Sequence, residues 1–353
     1  MAQRIRFARS RDGTALGWAS CGEGPPMVKT ANCPTHLEMD PQSPVWSHWL
    51  RFFGDHFHFV RYDERGCGLS DREVDDLSFD RWVEDLEAVI DAAGIDGPMT
   101  LLGVSKGAAT AIAFANKYPE RVSRIIIYAG DAQGWAARGD LRGAQLYQSI
   151  SDLVALGWGL ENPVFRELIT KRYIPNGNEE QIGWYNDLCL RTMSAAMVAR
   201  LLKAREDVDV RALLGCVAVP ALVMHSNMDE VIPFEEGRLL ASGLPDAEFV
   251  ELQSRNHIIL QQEPAWIRFK EAVLDFMDRT PAAGGSETAL ARLSRREREV
   301  VGLIGEAKSN PEIASELGLS ERTVRNHASN LFRKLGVKSR AEAILHLHGA
   351  VRR

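Results

Sequence analysis

Short apolar runs alternate with amphipathic stretches over the first 279 residues of the chain. Eight runs have the length and composition of strands: RIRFA, TALGWAS, PMVKTA, HFVRYD, MTLLGVS, RIIIYAG, PALVMHS and AEFVELQ. Helix-period segments separate several of them. In 78–94, Trp82, Leu86, Val89 and Ile90 recur at helical spacing, and Gly94 supplies a stop. In 264–279 a proline opens a helix whose inward stripe reads as Ile267, Val273, Leu274 and Met277. Strand–helix alternation predicts an α/β fold, a mostly parallel sheet covered by helices. The first strands have no helices between them and predict an antiparallel meander.

Residues 131–213 break this rhythm and read as irregular helices, a cap inserted over the carboxyl edge of the sheet. The cap carries Trp135, Tyr147, Trp158, Tyr173, Trp184 and Tyr185. Such aromatics either fasten an insertion down or line a ligand pocket. Trp135, Trp158, Trp184 and Tyr185 are the pocket candidates.

The segment TPAAGGSETA (280–289) lacks apolar periodicity and reads as a linker. The expected domains are therefore 1–279 and 290–353. The second reads as four short helices. Ser294 with Glu297 forms a capping box, Asn310 caps the next helix ahead of Pro311, and Ser320 caps the third. In that third helix Val324, Ala328, Leu331 and Leu335 share the inward face. Arg322, Arg325, Asn326, Ser329 and Arg333 share the outward one. An Arg- and Asn-bearing helix after a short helix and tight turn suits a DNA major groove.

Charge sharpens the division. The chain carries −6 overall, but from Ala289 onward 13 Lys+Arg face 7 Asp+Glu, leaving 29 against 41 in the first 288 residues. A basic tail of +6 on an acidic body of −12 assigns any nucleic-acid partner to the tail. The five cysteines, Cys21, Cys33, Cys67, Cys189 and Cys216, show no C-x-x-C pair, so neither a disulfide framework nor a zinc site is expected. No apolar run approaches 18 residues, and the N-terminal segment lacks an apolar signal core. These features predict a cytoplasmic protein with no membrane partner, no metal and no cofactor.

The candidate chemistry begins at LLGVSKGAATAI (101–112). Gly103 and Gly107 flank Ser105 at G-x-S-x-G spacing between a strand and a small-residue helix. A turn this tight crowds side chains and lifts the hydroxyl toward the helix N-terminus. The N–H of Lys106 would be one oxyanion donor. A serine nucleophile needs a base, and the base needs an orienting carboxylate. Asp229 follows one strand and His257 the next, in the order that the strand–turn–helix design uses. Lys106 either pairs with an anionic ligand or with a nearby carboxylate. Asp63, Glu64 and Arg65 are expected to form a local ion-pair network.

With these motifs in hand, residues 1–279 resemble the α/β-hydrolase superfamily. RYDERGCGLSD (61–71) is similar to its loop after the fourth strand, and the NH-x6-P stretch of 256–264 to its histidine loop. The resemblance implies Ser105 as nucleophile, His257 as base, Asp229 as acid and 131–213 as the cap. Two positions depart from the pattern. Ala31-Asn32 stands where His-Gly is common, which passes the second oxyanion donor to the N–H of Cys33. Asn256 stands where glycine often precedes the histidine, and asparagine tolerates positive φ.

The C-terminal segment resembles the LuxR-type helix-turn-helix across LSRREREVVGLI, SNPEIASELGLSERTVRNHASNLFRKLGV and SRAEAI. That resemblance implies base contacts from Arg325, Asn326 and Ser329. It implies backbone positioning by Thr323, Asn330, Lys334 and Ser309, with Arg333 on the same face. It also implies dimerisation through Ala343, Ile344 and Leu347. The two modules predict a homodimeric regulator of double-stranded DNA that responds to a small ester-, lactone- or amide-like ligand, with hydrolysis of that ligand by the triad as an activity secondary to sensing. The alternative is a serine hydrolase with an appended DNA-binding module. A third reading is a hydrolase fold kept for binding alone, which the Ala31-Asn32 departure favours.

Overall fold

A computed structural model describes residues 3–139, 141–280, 295–306, 308–335, 337, 339–340 and 342–344, with backbone alone for some helix residues. The eight expected strands are present: β1 (Arg4–Arg9), β2 (Ala15–Cys21), β3 (Pro26–Lys29), β4 (His58–Tyr62), β5 (Met99–Val104), β6 (Val122–Tyr128), β7 (Ala221–Ser226) and β8 (Ala247–Leu252). They form one sheet in the order β1-β2-β4-β3-β5-β6-β7-β8. β5 and β7 are buried at every position, as central parallel strands covered on both faces must be.

The expected meander holds for β1 and β2 alone. β2 pairs antiparallel with β4, and β3 lies between β4 and β5, parallel to both. Met27, Val28 and Lys29 are buried, so this strand needs a neighbour on each side. The helix α1 (Ser47–His56) provides the crossover to β4, and α2 (Phe79–Ala92) carries the chain back to β5. The strand order therefore reverses between β3 and β5. Ligand sites of open α/β sheets lie at such a switch point, beyond the carboxyl ends of the strands. The loops after β3 and β5 carry Cys33 and Ser105.

Two apolar layers cover the sheet. One contains α1 and α10 (Pro264–Arg279), and the other contains α2, α3 (Gly107–Lys117) and α9 (Phe234–Gly243). Of the stripe expected on α10, Val273 is buried and Leu274 and Met277 pack partly buried against the core, but Ile267 is 57% exposed, and Trp266, Phe269 and Phe276 are buried instead. The large aromatic rings rather than Ile267 decide which face turns inward. The insertion contains α4 (Leu141–Gly157), α5 (Val164–Tyr173), α6 (Glu179–Thr192), α7 (Ala195–Arg205) and the short α8 (Arg211–Leu214).

The C-terminal module has α11 (Arg295–Gly305), α12 (Asn310–Leu317) and α13 (Glu321–Leu335). Val300, Ile304, Ile313, Val324, Ala328, Leu331 and Ala343 share its core. The cap of α12 is Ser309, not Asn310: Ser309 and Glu312 form the capping box, and Asn310 Oδ1 accepts from Arg340. Gly318 ends that helix at φ 64°. The expected linker beyond Thr280, Ser294, Gly336 and most of the expected fourth helix, including Leu347, lie outside the described residues.

One buried histidine gives the fold a pH dependence. His48 on α1 sits edge-on to Trp266 at 4.6 Å and donates from Nε2 to the Ile259 carbonyl at 3.0 Å. Burial pushes its pKa from the usual 6.5 down to about 4. The folded state keeps this ring neutral, so its share of stability is present above 6.5 and is lost as pH falls toward 4. At one pKa unit per ~1.4 kcal/mol, acidification from pH 7 to 5 removes about 2 kcal/mol through this group. His48→Gln keeps the donor without the titration. The stability gap between wild type and this variant should therefore narrow by about 2 kcal/mol over that range in urea unfolding.

Candidate functional site

Ser105 follows β5 and has φ 52°, a left-handed conformation that a serine adopts only when its surroundings hold it there. The flanking glycines have a steric reason. A Cβ on Gly103 would stand 2.8 Å from Ala108 Cα, and one on Gly107 would stand 2.3 Å from Thr30 Oγ1. Thr30 in turn donates to the Gly107 carbonyl at 2.9 Å. The sharp turn thus packs directly on the loop after β3.

Three distant segments meet there. His257 Nε2 lies 2.8 Å from Ser105 Oγ, and His257 Nδ1 lies 2.6 Å from Asp229 Oδ2. The other oxygen of Asp229 accepts from the N–H of Val231 at 2.7 Å and of Ile232 at 3.2 Å. Asp229 is thus fixed by a local turn, while α9 starts later, at Phe234. All three residues are buried, Ser105 to 7% exposure. The Tyr173 ring stands perpendicular to His257 at 5.2 Å, and its carbonyl accepts the His257 N–H at 2.8 Å. Tyr173 is not among the pocket candidates, and nothing in the local sequence places it above Tyr185, which is.

A second histidine also approaches the acid. His225 Nε2 is 3.7 Å from Asp229 Oδ2 and donates to the Ile232 carbonyl at 3.0 Å. Burial lowers its pKa, so it sits there as a neutral neighbour. Gly237 makes room for it, since a Cβ there would meet His225 Nδ1 at 2.5 Å. A histidine at the end of a buried strand is the sequence signal that could have revealed it.

Among the described residues, no protein acceptor takes the backbone N–H of Lys106 or Cys33. The departure at Ala31-Asn32 has a structural cause. The ammonium of Lys29 is buried, and it donates to Asn32 Oδ1. Burial pushes the Lys29 pKa down to about 8. A glycine at position 32 would leave this cation without that partner. Asn256 is not at positive φ. Its side chain instead donates to Glu263 at 2.8 Å and accepts from the Asn176 N–H at 2.9 Å, tying the histidine loop to the cap.

Lys106 pairs with the buried Asp131, which also takes Arg138. Cys33 is half-buried, with Sγ 3.4 Å from Met193 Sδ. The four cap aromatics divide. Tyr185 lies behind Tyr173 at 5.8 Å, and Trp158 donates to the Met193 carbonyl at 3.1 Å. Trp135 stacks on Tyr147 at 5.7 Å, and Trp184 packs partly buried against the core. Asp63, Glu64 and Arg65 do not pair with one another. Asp63 accepts from Thr35, Leu37 and Leu69, Glu64 pairs with Arg205, and Arg65 pairs with Asp85 and Asp12.

On α13, Arg325 and Ser329 are exposed, opposite the buried Val324, Ala328 and Leu331. Thr323 is half-buried, with its hydroxyl 2.7 Å from that of Ser320. The side chains of Asn326, Asn330, Arg333 and Lys334 lie outside the described residues. Among the described residues no helix is long and apolar enough to cross a membrane.

Residues 49–264 match the model of the family described as serine aminopeptidase, S33, over more than half of the chain. The chain belongs to that family. Residues 291–347 match the bacterial regulatory proteins of the luxR family. The protein is thus an α/β-hydrolase fused to a LuxR-type DNA-binding module. Its hydrolase part is similar to 3-oxoadipate enol-lactonase 2 of Acinetobacter baylyi, at 26% identity over 267 residues, 74% of this chain and 93% of the lactonase. Its C-terminal part is similar to the spore germination protein GerE of Bacillus subtilis, 56% identical over 55 residues, 16% of this chain and 74% of GerE. Among solved structures, a bromoperoxidase from Bacillus anthracis shares the fold with a TM-score of 0.66 at 18% identity, over 78% of this chain and 99% of the other.

Proposed function

We propose that this protein is a ligand-responsive transcriptional regulator whose hydrolase domain binds and turns over a small ester-, lactone- or amide-like molecule. The observation that carries the reading is the unbroken Ser105–His257–Asp229 relay in the same chain as a LuxR-type module. Ser105 attacks the carbonyl, His257 takes its proton through Nε2 and hands it to the leaving alcohol or amine as the scissile C–O or C–N bond breaks, and Asp229 holds the ring and stabilises the imidazolium. The N–H groups of Lys106 and Cys33 receive the oxyanion. Water then releases the acyl group, which resets the signal. A lactonase among the relatives supports a lactone as one ligand class. The protein acts in the cytoplasm as a homodimer on two half-sites, paired through Ala343, Ile344 and Leu347.

The full-length protein, mixed at low salt with DNA from upstream of its own gene, tests the regulatory half. Binding that shifts on adding a panel of short esters, lactones and amides is expected, and no binding under any condition rejects it. Turnover of that panel and fluorophosphonate labelling of Ser105 test the chemical half. The intact relay favours a second reading, a serine hydrolase that its DNA module merely localises. Ser105→Ala separates the two, since a sensor keeps a DNA response to ligand without turnover.

Among the described side chains of α13, Arg325 is the exposed one best suited to a base edge. Arg325→Ala should weaken specific DNA binding by roughly 1–3 kcal/mol while leaving non-specific binding nearly unchanged. A mobility-shift titration against operator and scrambled DNA reads both values.

A further inference from the structure

β5, β6 and β7 lie side by side in the sheet. Ser105 follows β5 and Asp229 follows β7, while β6 between them carries no triad residue. Its last residue, Tyr128, is fully buried, and so is Ser226, the last of β7. The two hydroxyls meet at 3.0 Å. Ser226 Oγ donates its proton to the Asn256 carbonyl at 2.9 Å, so Tyr128 is the donor between them. Tyr128 Oη also stands 3.5 Å from the same carbonyl.

That carbonyl belongs to the peptide bond whose nitrogen is His257 N. The other end of the bond, the His257 N–H, donates to the Tyr173 carbonyl at 2.8 Å. The peptide is therefore fixed from the cap through Tyr173 and from the sheet through the hydroxyl pair. The remaining attachments of this loop act further along it or on side chains: His48 and Trp49 on the Ile259 carbonyl, and Glu263 on Leu260 N–H and the Asn256 amide. The main chains of the same two residues hold the rest of the triad. Ser105 N–H donates to the Tyr128 carbonyl at 2.9 Å, and Asp229 N–H donates to the Ser226 carbonyl at 3.3 Å. Packing requires neither hydroxyl. The Tyr128 ring packs on Trp49 and Phe269 at 5.3 and 5.5 Å, contacts that a phenylalanine would also make. Burying a hydroxyl costs free energy unless it is hydrogen-bonded, and both are spent on one carbonyl.

We infer that Tyr128 and Ser226 are positioning residues of the triad, whose paired hydroxyls set the His257 ring between Ser105 and Asp229. This role presupposes that the triad hydrolyses its ligand. Each residue grips one triad segment through its main chain and the histidine through its side chain, so the two together fix the spacing of all three. Proton transfer depends steeply on that spacing, and a displacement of about 1 Å costs roughly 100-fold in rate.

Full-length Tyr128→Phe, Ser226→Ala and the double variant, assayed on the short-ester panel, test this. Each single variant keeps one hydroxyl for the Asn256 carbonyl, so kcat should fall less than about fivefold. The double variant strips the carbonyl, and its kcat should fall about 100-fold with KM nearly unchanged, far more than the product of the two single losses. Val89→Ala on α2, in the opposite apolar layer, destabilises without touching the pair and should keep kcat near wild type. If the double variant does not fold, Tyr128→Phe with Ser226→Cys fills the space with a weak donor and should show an intermediate loss. The Nδ1 proton that His257 shares with Asp229 gives a reading independent of turnover, a downfield proton NMR resonance identified by its loss in His257→Gln. Wild type should show it, and the double variant should broaden it by exchange with water. If wild type turns over no ester, the hydrolytic reading falls on that result, and the resonance decides whether the pair holds His257. A double variant with kcat within about threefold of wild type, an equal loss in Val89→Ala, or a resonance unchanged in the double variant or absent from wild type would each overturn the inference.

Discussion

Asp229→Asn should lower kcat/KM for short-ester hydrolysis on the order of 10³- to 10⁴-fold while the protein stays folded. The reason lies in which oxygen is already committed. Asp229 Oδ1 accepts from the N–H groups of Val231 and Ile232, and Oδ2 faces His257 Nδ1 at 2.6 Å. An amide at this position must keep its oxygen on the two backbone donors, because turning it would point N–H at N–H. Its NH₂ then faces Nδ1 and donates to it. That forces the ring proton onto Nε2, the atom that must accept from Ser105 at 2.8 Å. The base is present but in the wrong tautomer. His225 cannot replace the acid, since burial keeps it neutral and its Nε2 is occupied by the Ile232 carbonyl. A melting curve close to wild type alongside the loss separates this effect from misfolding. A loss under tenfold would mean that Asp229 does not set the state of His257.

The elements of this site differ in how readily the sequence shows them. The strands are legible because β5 and β7 are continuous apolar runs, and a run of that length has few other uses. Ser105 is legible because the steric demand on Gly103 and Gly107 is local. Asp229 and His257 follow from strand ends and chain order. What does not show is pairing across the fold. The place of β3 depends on a partner 73 residues away, not on its own pattern. Ile267 is the one member of the expected α10 stripe that faces out, because it and Trp266 are adjacent and periodicity resolves a face to about one residue. The charged loop after β4 misled for a related reason. Asp63, Glu64 and Arg65 are neighbours in sequence, and adjacent charges suggest one another as partners. In the fold each side chain turns a different way, so three separate attachments replace one local network.

Arg65→Met should destabilise the hydrolase domain by about 3–5 kcal/mol, the effect of removing one partner from a buried pair. Arg65 is fully buried. Its Nε and Nη2 donate to the two oxygens of Asp85 at 2.7 and 2.6 Å, and Nη1 donates to Asp12 at 2.8 Å and to the Asp76 carbonyl at 2.9 Å. One guanidinium thus joins the loop after β4 to α2 and to the β1–β2 turn. Methionine fills similar volume but satisfies none of these oxygens, and Asp85 is 1% exposed. Burial already pushes the Asp85 pKa up against the pull of Arg65. Without the guanidinium it rises further, so the folded variant binds a proton that the unfolded chain does not. The sign follows: stability of the variant increases as pH falls below that raised value, and its deficit relative to wild type shrinks under mild acid. Adding Asp85→Leu removes the stranded carboxylate and should recover most of the loss at pH 7. Urea unfolding of wild type, both single variants and the double variant, followed on the hydrolase transition, measures the coupling. If the double variant is no more stable than Arg65→Met, the loss comes from packing around the loop rather than from an unpaired charge on α2.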